Sequence, residues 1–124
     1  MITLLNAAPD TGNQGVSALC YSAVAGLSAR GANAIAVADH GRGRRPADWA
    51  AEGVERFGLT HTRRLWQAEA LRTVHALARV GGGLNHAART IAGSRAVLDV
   101  SGGDSFTDLY GEKRFRAMVL TKRL

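Results

Sequence analysis

The sequence predicts a single α/β domain in which helices cover a parallel β-sheet. Apolar segments of strand length alternate with segments in which apolar residues recur at helical spacing. Glycine-rich turns separate these segments, as is typical of connections between strands and helices. With 124 residues, 46% of them apolar, the chain is long enough for one compact domain with a hydrophobic core.

The first βαβ unit is predicted in the N-terminal third. Ile2–Asn6 is a short apolar segment typical of a strand, and turn-forming residues follow it from Pro9 to Gly15. From Val16 onward the apolar spacing predicts a helix, which Gly31 ends in a left-handed cap. Ala34–Ala38 follows as the second strand, which completes a parallel βαβ unit. The predicted apolar face of the helix comprises Val16, Leu19, Cys20, Ala23, Val24 and Leu27.

The middle of the chain is less regular and then becomes helical. Glycine and proline residues interrupt Asp39–His61, and a short helix is possible over Ala47–Phe57. Arg63–Arg79 predicts a helix, which Gly81–Gly83 should end because glycine costs roughly 1 kcal/mol per residue within a helix. Leu84–Ala92 then resumes helical spacing. The apolar faces of these two helices are predicted to comprise Trp66, Ala70, Val74, Leu77 and Ala78, and then Leu84, Ala87, Ala88 and Ile91.

The last part predicts a third strand and the start of another helix. Arg95–Val100 has the continuous apolar character of a strand buried on both faces of a parallel sheet. Glu112–Leu124 has helical spacing and ends without a capping residue. Three strands and about four helices predict a Rossmann-like, three-layer parallel sheet with fewer strands than a doubly wound sheet usually has. We therefore expect residues 1–124 to be an incomplete N-terminal domain, truncated before a second, C-terminal domain.

The composition and the distribution of charge argue against nucleic-acid-binding, membrane-spanning and metal-binding proteins. The net charge of +6 comes mainly from arginine, but most arginines are spread singly and few aromatic residues lie among them. This distribution is not typical of a nucleic-acid-binding surface. No apolar run approaches the roughly 20 residues that span a membrane, and the N-terminus is a poor signal peptide. The single cysteine, Cys20, is predicted in the core, and it fits the reducing cytoplasm. The four histidines share no metal-ligand spacing, so we expect no metal site.

The first glycine-rich loop, Gly12–Gly15, has two interpretations. Its glycines allow the backbone to approach a ligand closely, and the following helix offers free N–H groups to an anion. A tight strand-to-helix turn without a ligand explains the same residues equally well. Asp39 stands where the acidic residue of a dinucleotide-binding domain would meet a ribose. The G-x-G-x-x-G fingerprint is missing, however, which makes a dinucleotide site doubtful.

The second glycine-rich loop begins at Ser101 and carries more chemistry. Gly102 and Gly103 allow a sharp change of direction after a buried strand, and Asp104 and Asp108 add two carboxylates. Hydroxyl and carboxylate groups in one short loop suit hydrogen bonds to sugar hydroxyls, or a general base. The alternative is that Asp104 caps the following segment and has no contact with a ligand.

Both loops resemble segments of the polysaccharide pyruvyl transferase family. Gly12–Leu19 is similar to the family's "GN-x-G-x-x-AL" element, and Asp99–Gly111 is similar to its "SGGD-x-F-x-D-x-Y-G" segment. The resemblance covers the whole chain, but only the N-terminal part of the family's normal length. Val16 and Ser17 stand where many relatives carry acidic residues, which argues against an acidic role for the first loop.

The resemblance implies a glycosyltransferase B-type arrangement, in which two Rossmann-like domains face one cleft. It implies transfer of a pyruvyl group from phosphoenolpyruvate to sugar hydroxyls, without any further cofactor. Basic residues and a histidine of the family's C-terminal half bind the donor, so the loops of this chain would shape the acceptor side. Asp104 would be the catalytic candidate, through a hydrogen bond to the acceptor or as a base. The matching substrate-binding candidates are Gly12, Asn13, Gly15, Ser101, Gly102, Gly103 and Asp108.

Three expectations about activity and partners follow. Because no phosphate cradle and no acid for the donor's methylene carbon can be identified, we expect the 124-residue chain alone to be inactive. A transferase that uses a nucleotide-sugar donor is an alternative with the same architecture. A non-catalytic remnant or binding subunit is the other alternative, and exposed sheet edges would then favour association, including a homo-oligomer.

Overall fold

The chain folds as an α/β structure with one five-stranded sheet and three helices among the residues described. The structure is a computed structural model, and it describes residues 1–50, 52–62 and 64–101 together with Glu112, Arg116 and Val119. These last three residues have helical conformation, in agreement with the helix predicted there. The elements are β1 (Ile2–Leu5), α1 (Gln14–Ala29), β2 (Ile35–Asp39), β3 (Arg44–Pro46), β4 (Val54–Gly58), α2 (Leu71–Ala78), α3 (His86–Ala92) and β5 (Ala96–Asp99).

The sheet is mixed, with the strand order β3-β4-β2-β1-β5. The three predicted strands, β2, β1 and β5, are parallel as predicted; β4, which was not predicted, is parallel to β2, and β3 pairs antiparallel with β4 at one edge. The prediction of a wholly parallel sheet is therefore wrong at this edge. Only residues 47–53 connect β3 to β4, and a parallel crossover needs a dozen residues or more. Pro46 is tolerated because β3 is an edge strand.

Helices cover both faces of the sheet. Side chains of successive strand residues point to opposite faces, so β1, β2 and β4 each contribute to two separate cores. The core under α1 comprises Leu4, Ala7, Cys20, Val24, Ile35, Val37, Ala47 and Val54. The core under α2 and α3 comprises Leu5, Ala36, Ala38, Phe57, Leu59, Leu71, Val74, Ala87, Ala88 and Ile91. The layers are therefore helix, sheet and helix.

Helix α1 agrees closely with its prediction. Gly31 has φ +85°, and its N–H donates to the Ser28 carbonyl, while the Ala32 N–H donates to the Leu27 carbonyl. These two hydrogen bonds form the glycine cap that ends many helices. Cys20 is fully buried, as predicted, whereas Leu19 is 45% exposed.

The helix predicted over Arg63–Arg79 is wrong in its first half, because α2 begins only at Leu71. The preceding segment is a loop that hydrogen bonds tie to the end of β4: the Thr60 N–H donates to the Glu69 carbonyl, and the Leu71 N–H donates to the Thr60 carbonyl. Trp66, predicted on the apolar face, is 82% exposed in that loop. Tertiary hydrogen bonds therefore override the helical spacing there.

Three further predictions differ from the structure. Residues 47–57 contain a turn and strand β4 in place of the short helix, and Gly53 at that turn has φ +91°, which a helix does not accommodate. Leu84 is 99% exposed because α3 begins after it, at His86. Strand β5 is not buried on both faces, since Val97 and Leu98 are 37% and 40% exposed. Among the described residues β5 pairs only with β1, so it has one neighbouring strand.

The strand order reverses next to β1. The chain passes from β1 to β2 and β4 on one side and then returns to place β5 on the other side of β1. In open α/β sheets such a reversal opens a crevice at the carboxyl ends of the two strands, where ligands bind. None of the helices within the described part of the chain has the length and apolar character needed to cross a membrane.

Candidate functional site

The candidate site lies where β1 and β5 end side by side. Leu5 pairs with Asp99 in the parallel ladder. The chain that leaves β1 leads to Gly12–Gly15, and the second glycine-rich loop begins at Ser101, just beyond Asp99. The Asn6 side-chain amide donates to Asp99 Oδ1 at 3.2 Å. Asn6 also has φ +57°, a left-handed conformation that turns the chain away from the strand. The two loops that the sequence singled out therefore leave neighbouring strands at the same edge of the sheet.

The first loop ends in a side-chain cap. Asn13 Oδ1 accepts hydrogen bonds from the backbone N–H groups of Gly15 at 3.0 Å and Val16 at 3.3 Å. Gly12 is exposed with φ +73°, a conformation that favours glycine. Ser17 in the first turn of α1 donates to the Pro9 carbonyl at 2.5 Å, which fixes the start of the loop against the helix. The loop is ordered, and the N–H groups of Gly15 and Val16 already have a partner within the chain.

The second loop begins with an acidic anchor. Asp99 Oδ1 accepts from the Ser101 N–H at 2.8 Å and from the Ser101 hydroxyl at 2.5 Å, in addition to Asn6. Asp99 therefore links the ends of β1 and β5 and orients the first residue of the loop. The remaining predicted residues of this loop lie outside the described residues, namely Gly102, Gly103, Asp104 and Asp108.

A network of two arginines and two aspartates supports the same edge. Asp39, at the end of β2, is 7% exposed, and its Oδ1 accepts from the Gly41 N–H at 2.7 Å and from the Arg45 guanidinium. Its Oδ2 lies 3.7 Å from Nε of Arg56. Arg56 also pairs with Asp10 of the first loop, at 2.6 Å. Because charged partners inside the chain hold its carboxylate, Asp39 is an anchor here, and the ribose contact considered for it is not supported.

Sequence reasoning missed Arg56. It sits in the middle of β4, its side chain is 15% exposed, and it connects the ends of β2 and β1 through Asp39 and Asp10. The available signal was an arginine between the apolar residues Val54 and Phe57, which indicates a partner because buried charges are normally paired.

A cavity of about 490 Å³ opens at the same edge of the sheet, beside the ends of β2 and β4. Sequence reasoning missed it as well, because Gln67 and Glu69, which line it, were assigned to the helix predicted over Arg63–Arg79. Partial desolvation of the imidazole, and secondarily the charge of His40, lower the pKa of the neighbouring His61 below its usual value. The residues that line the cavity are His40, Gly41, Arg42, Thr60, Thr62, Gln67 and Glu69.

Two other groups bear on the chemistry of the site. Burial, and secondarily the charge of Asp10, raise the pKa of the Cys20 thiol to about 11, so at neutral pH the thiol is protonated and a poor nucleophile. No group of three or more histidine, cysteine, aspartate or glutamate side chains in the described ranges is placed to hold a metal ion. The groups at the carboxyl edge are hydroxyls, amides, carboxylates and arginines, which suit hydrogen bonding to a polar ligand.

Comparison with known proteins identifies no relative: no protein-family model, no curated protein and no solved structure matches this chain.

Proposed function

We propose that this chain forms the acceptor side of an enzyme of the polysaccharide pyruvyl transferase type. The reaction transfers a pyruvyl group from phosphoenolpyruvate to two hydroxyls of a sugar in a cell-surface polysaccharide or its precursor. The product is a cyclic ketal, and phosphate is released. A Rossmann-like domain that belongs to a glycosyltransferase B-type pair is part of the same proposal.

The position of the two motif-bearing loops carries the proposal. The segments that resemble the family, Gly12–Leu19 and Asp99–Gly111, are far apart in sequence, but they follow two adjacent strands: β1 ends at Leu5, seven residues before Gly12, and β5 ends at Asp99. The hydrogen bond between Asn6 and Asp99 joins these strand ends. In open α/β sheets ligands bind where the strand order reverses, so this placement supports a role of both segments at one ligand crevice.

The chemistry assigns the loops to the acceptor. In ketal formation two sugar oxygens bond to the central carbon of the donor, its bond to the phosphate oxygen breaks, and the methylene carbon gains a proton to become a methyl group. One hydroxyl proton supplies the methyl group and the other leaves with phosphate. Binding two hydroxyls needs hydrogen-bonding groups such as Ser101, and removing their protons needs a base, for which we propose Asp104.

Donor binding calls for cations that are free to meet phosphate and carboxylate. Arg45 and Arg56, the arginines of the network around Asp39, are already paired with Asp39 and Asp10. We therefore assign the donor site to residues other than these. Gly12, Asn13, Gly15, Gly102, Gly103 and Asp108 complete the proposed acceptor wall.

The test measures phosphate release from phosphoenolpyruvate with a panel of sugar acceptors, with mass spectrometry of the ketal. The product of the complete reading frame that contains these residues is assayed beside the 124-residue chain. We expect acceptor-dependent release from the former, none from the latter, and a large loss of rate in Asp104→Asn. The matched control is Asp48→Asn, at an exposed aspartate outside the crevice.

Two results would contradict the proposal. Turnover by the 124-residue chain alone would show that the donor site lies within it. Transfer from a nucleotide sugar, with no reaction of phosphoenolpyruvate, would show that the enzyme is a glycosyltransferase.

A further inference from the structure

The cavity beside β2 and β4 is separate from the crevice between β1 and β5. The β2–β3 loop forms one wall with His40, Gly41 and Arg42. The segment between β4 and α2 forms the other wall with Thr60, Thr62, Gln67 and Glu69. Its volume of about 490 Å³ lies in the range of roughly 300–1,000 Å³ that is usual for small-molecule sites.

Close backbone packing holds the two walls together. A Cβ atom on Gly58, at the end of β4, would lie 2.3 Å from the Gly41 carbonyl oxygen and 2.7 Å from Cγ of Glu69. Only glycine therefore lets the β2–β3 loop and Glu69 approach β4 this closely. Glu69 Oε1 also accepts a hydrogen bond from the Gly43 N–H at 3.3 Å, which orients the carboxylate across the two walls.

The second wall is fixed in place by hydrogen bonds at both of its ends and in its middle. Thr60 pairs with Ala70 as an isolated β-bridge, which closes the loop at its base. The Thr73 hydroxyl donates to the Leu65 carbonyl at 2.7 Å, and the Asn85 side-chain amide donates to the Ala68 carbonyl at 2.7 Å.

Trp66 is the unexplained feature of this loop. Its side chain is 82% exposed, and it directly precedes Gln67, which lines the cavity. A tryptophan offers a large apolar ring face to a ligand. Because Trp66 adjoins a cavity residue in the chain, a ligand with one apolar and one polar face would fit the polar cavity together with this ring.

A sugar ring has those two faces. Its axial C–H groups pack on an aromatic ring, while its hydroxyls need both donors and acceptors in the plane of the ring. Thr60, Thr62 and Gln67 offer hydroxyl and amide groups of both kinds. The lowered pKa of His61 keeps that imidazole neutral at pH 7, so it adds no positive charge nearby.

Anionic ligands fit this cavity less well. The carboxylate of Glu69 lines it and would repel phosphate, whereas it accepts hydrogen bonds from sugar hydroxyls. Arg42 supplies one cation to the cavity. A phosphate site would need this cation, but it would not tolerate the carboxylate of Glu69 in the same lining. We propose that the cavity is a subsite for a neutral sugar unit, which packs on Trp66 and donates hydroxyl hydrogen bonds to Glu69.

In the enzyme, this subsite would hold a second sugar unit of the acceptor oligosaccharide, and this role rests on the proposed function. The sugar-binding assignment itself does not need pyruvyl transfer. The experiment is therefore a calorimetric titration of the chain with neutral disaccharides, in which no donor is present. Ketal formation without sugar binding at Trp66 would remove the subsite alone, and sugar binding at Trp66 without ketal formation would remove the proposed function alone.

The variants are Trp66→Ala and Glu69→Gln, with matched controls at Leu84→Ala and Glu52→Gln. Leu84 is 99% exposed and Glu52 is also exposed, so each control removes the same kind of group elsewhere on the surface. We expect each site variant to weaken disaccharide binding by roughly tenfold or more, because Trp66→Ala removes the ring on which the sugar packs and Glu69→Gln removes the charged acceptor of its hydroxyls. The controls should bind as the parent chain does.

Three results would overturn the assignment. One is that no disaccharide in the panel binds. Another is that the site variants and the controls bind equally well. The third is that inorganic phosphate binds the parent chain and binds Glu69→Gln more tightly, which would make the cavity an anion site.

Discussion

Asn13 joins the first glycine-rich loop to helix α1 through one side-chain oxygen. That oxygen accepts from Gly15 and Val16, whose N–H groups would otherwise have no intrahelical partner. Asparagine is among the preferred residues at this position because its short side chain reaches back to the first turn. The residue that the resemblance offers as a ligand contact thus has a structural task that the chain alone explains.

Substitution of Asn13 measures how much the helix cap contributes to stability. We expect Asn13→Ala to lower the free energy of unfolding by about 1 kcal/mol, and Asn13→Asp to retain most of the stability, because aspartate also caps. Urea unfolding followed by circular dichroism gives both values. Asn33→Ala, at an exposed asparagine outside the helices, is the control. Equal stabilities of Asn13→Ala and Asn33→Ala would contradict the assigned cap.

At the scale of elements, the β3–β4 connection depends on one glycine. Gly53 has φ +91°, its carbonyl accepts from the Ile35 N–H, and a Cβ atom there would lie 2.3 Å from the Asn33 carbonyl oxygen. The turn therefore brings β4 against the start of β2. Gly81 is a useful contrast, since it has φ +83° and a Cβ atom there would meet nothing within 4 Å.

This contrast predicts which of two glycine substitutions lowers the free energy of unfolding more. Gly81→Ala should cost roughly 1–2 kcal/mol, the strain of an L-residue at positive φ. Gly53→Ala should cost more, because the same strain is joined by a backbone clash that shifts the turn. Chemical denaturation of both variants tests this order. A Gly53→Ala chain as stable as Gly81→Ala would contradict the close approach to Asn33.

The elements also show what sequence could and could not predict. The first βαβ unit was predictable because its signals are local: two short apolar strands, apolar residues at helical spacing between them and a glycine at the helix end. The start of α2 was not, because Trp66, Ala70 and Val74 have helical spacing whether or not the helix includes Trp66. Hydrogen bonds between Thr60 and Glu69, nine residues apart, decide that boundary.

For the site, sequence located the two loops but not what holds them. The glycines and Ser101 were visible in the sequence as residues that follow strands, and the parallel pairing of β1 with β5 brings the ends of these two strands together. Arg56 and the cavity beside β4 were missed, since both depend on pairing between distant segments. A single charged residue in a strand does not specify which aspartates it will meet.

At the scale of the whole molecule, one edge of the sheet carries the polar chemistry. The crevice between β1 and β5, the network around Asp39 and the cavity beside β4 all lie at the carboxyl ends of the parallel strands. The opposite edge contains the turns before the strands, including Asn33, Gly53 and Arg95. We therefore expect a ligand of this chain to bind only along the carboxyl ends of the parallel strands.

Amide chemical-shift mapping of the isotope-labelled chain during titration with acceptor oligosaccharides tests this claim most directly. The account predicts shifts at residues 6–16, 40–43, 60–69 and 100–101, and none at Asn33, Gly53 and Arg95. Shifts centred on these last three amides, or an unchanged spectrum at saturating acceptor, would contradict it.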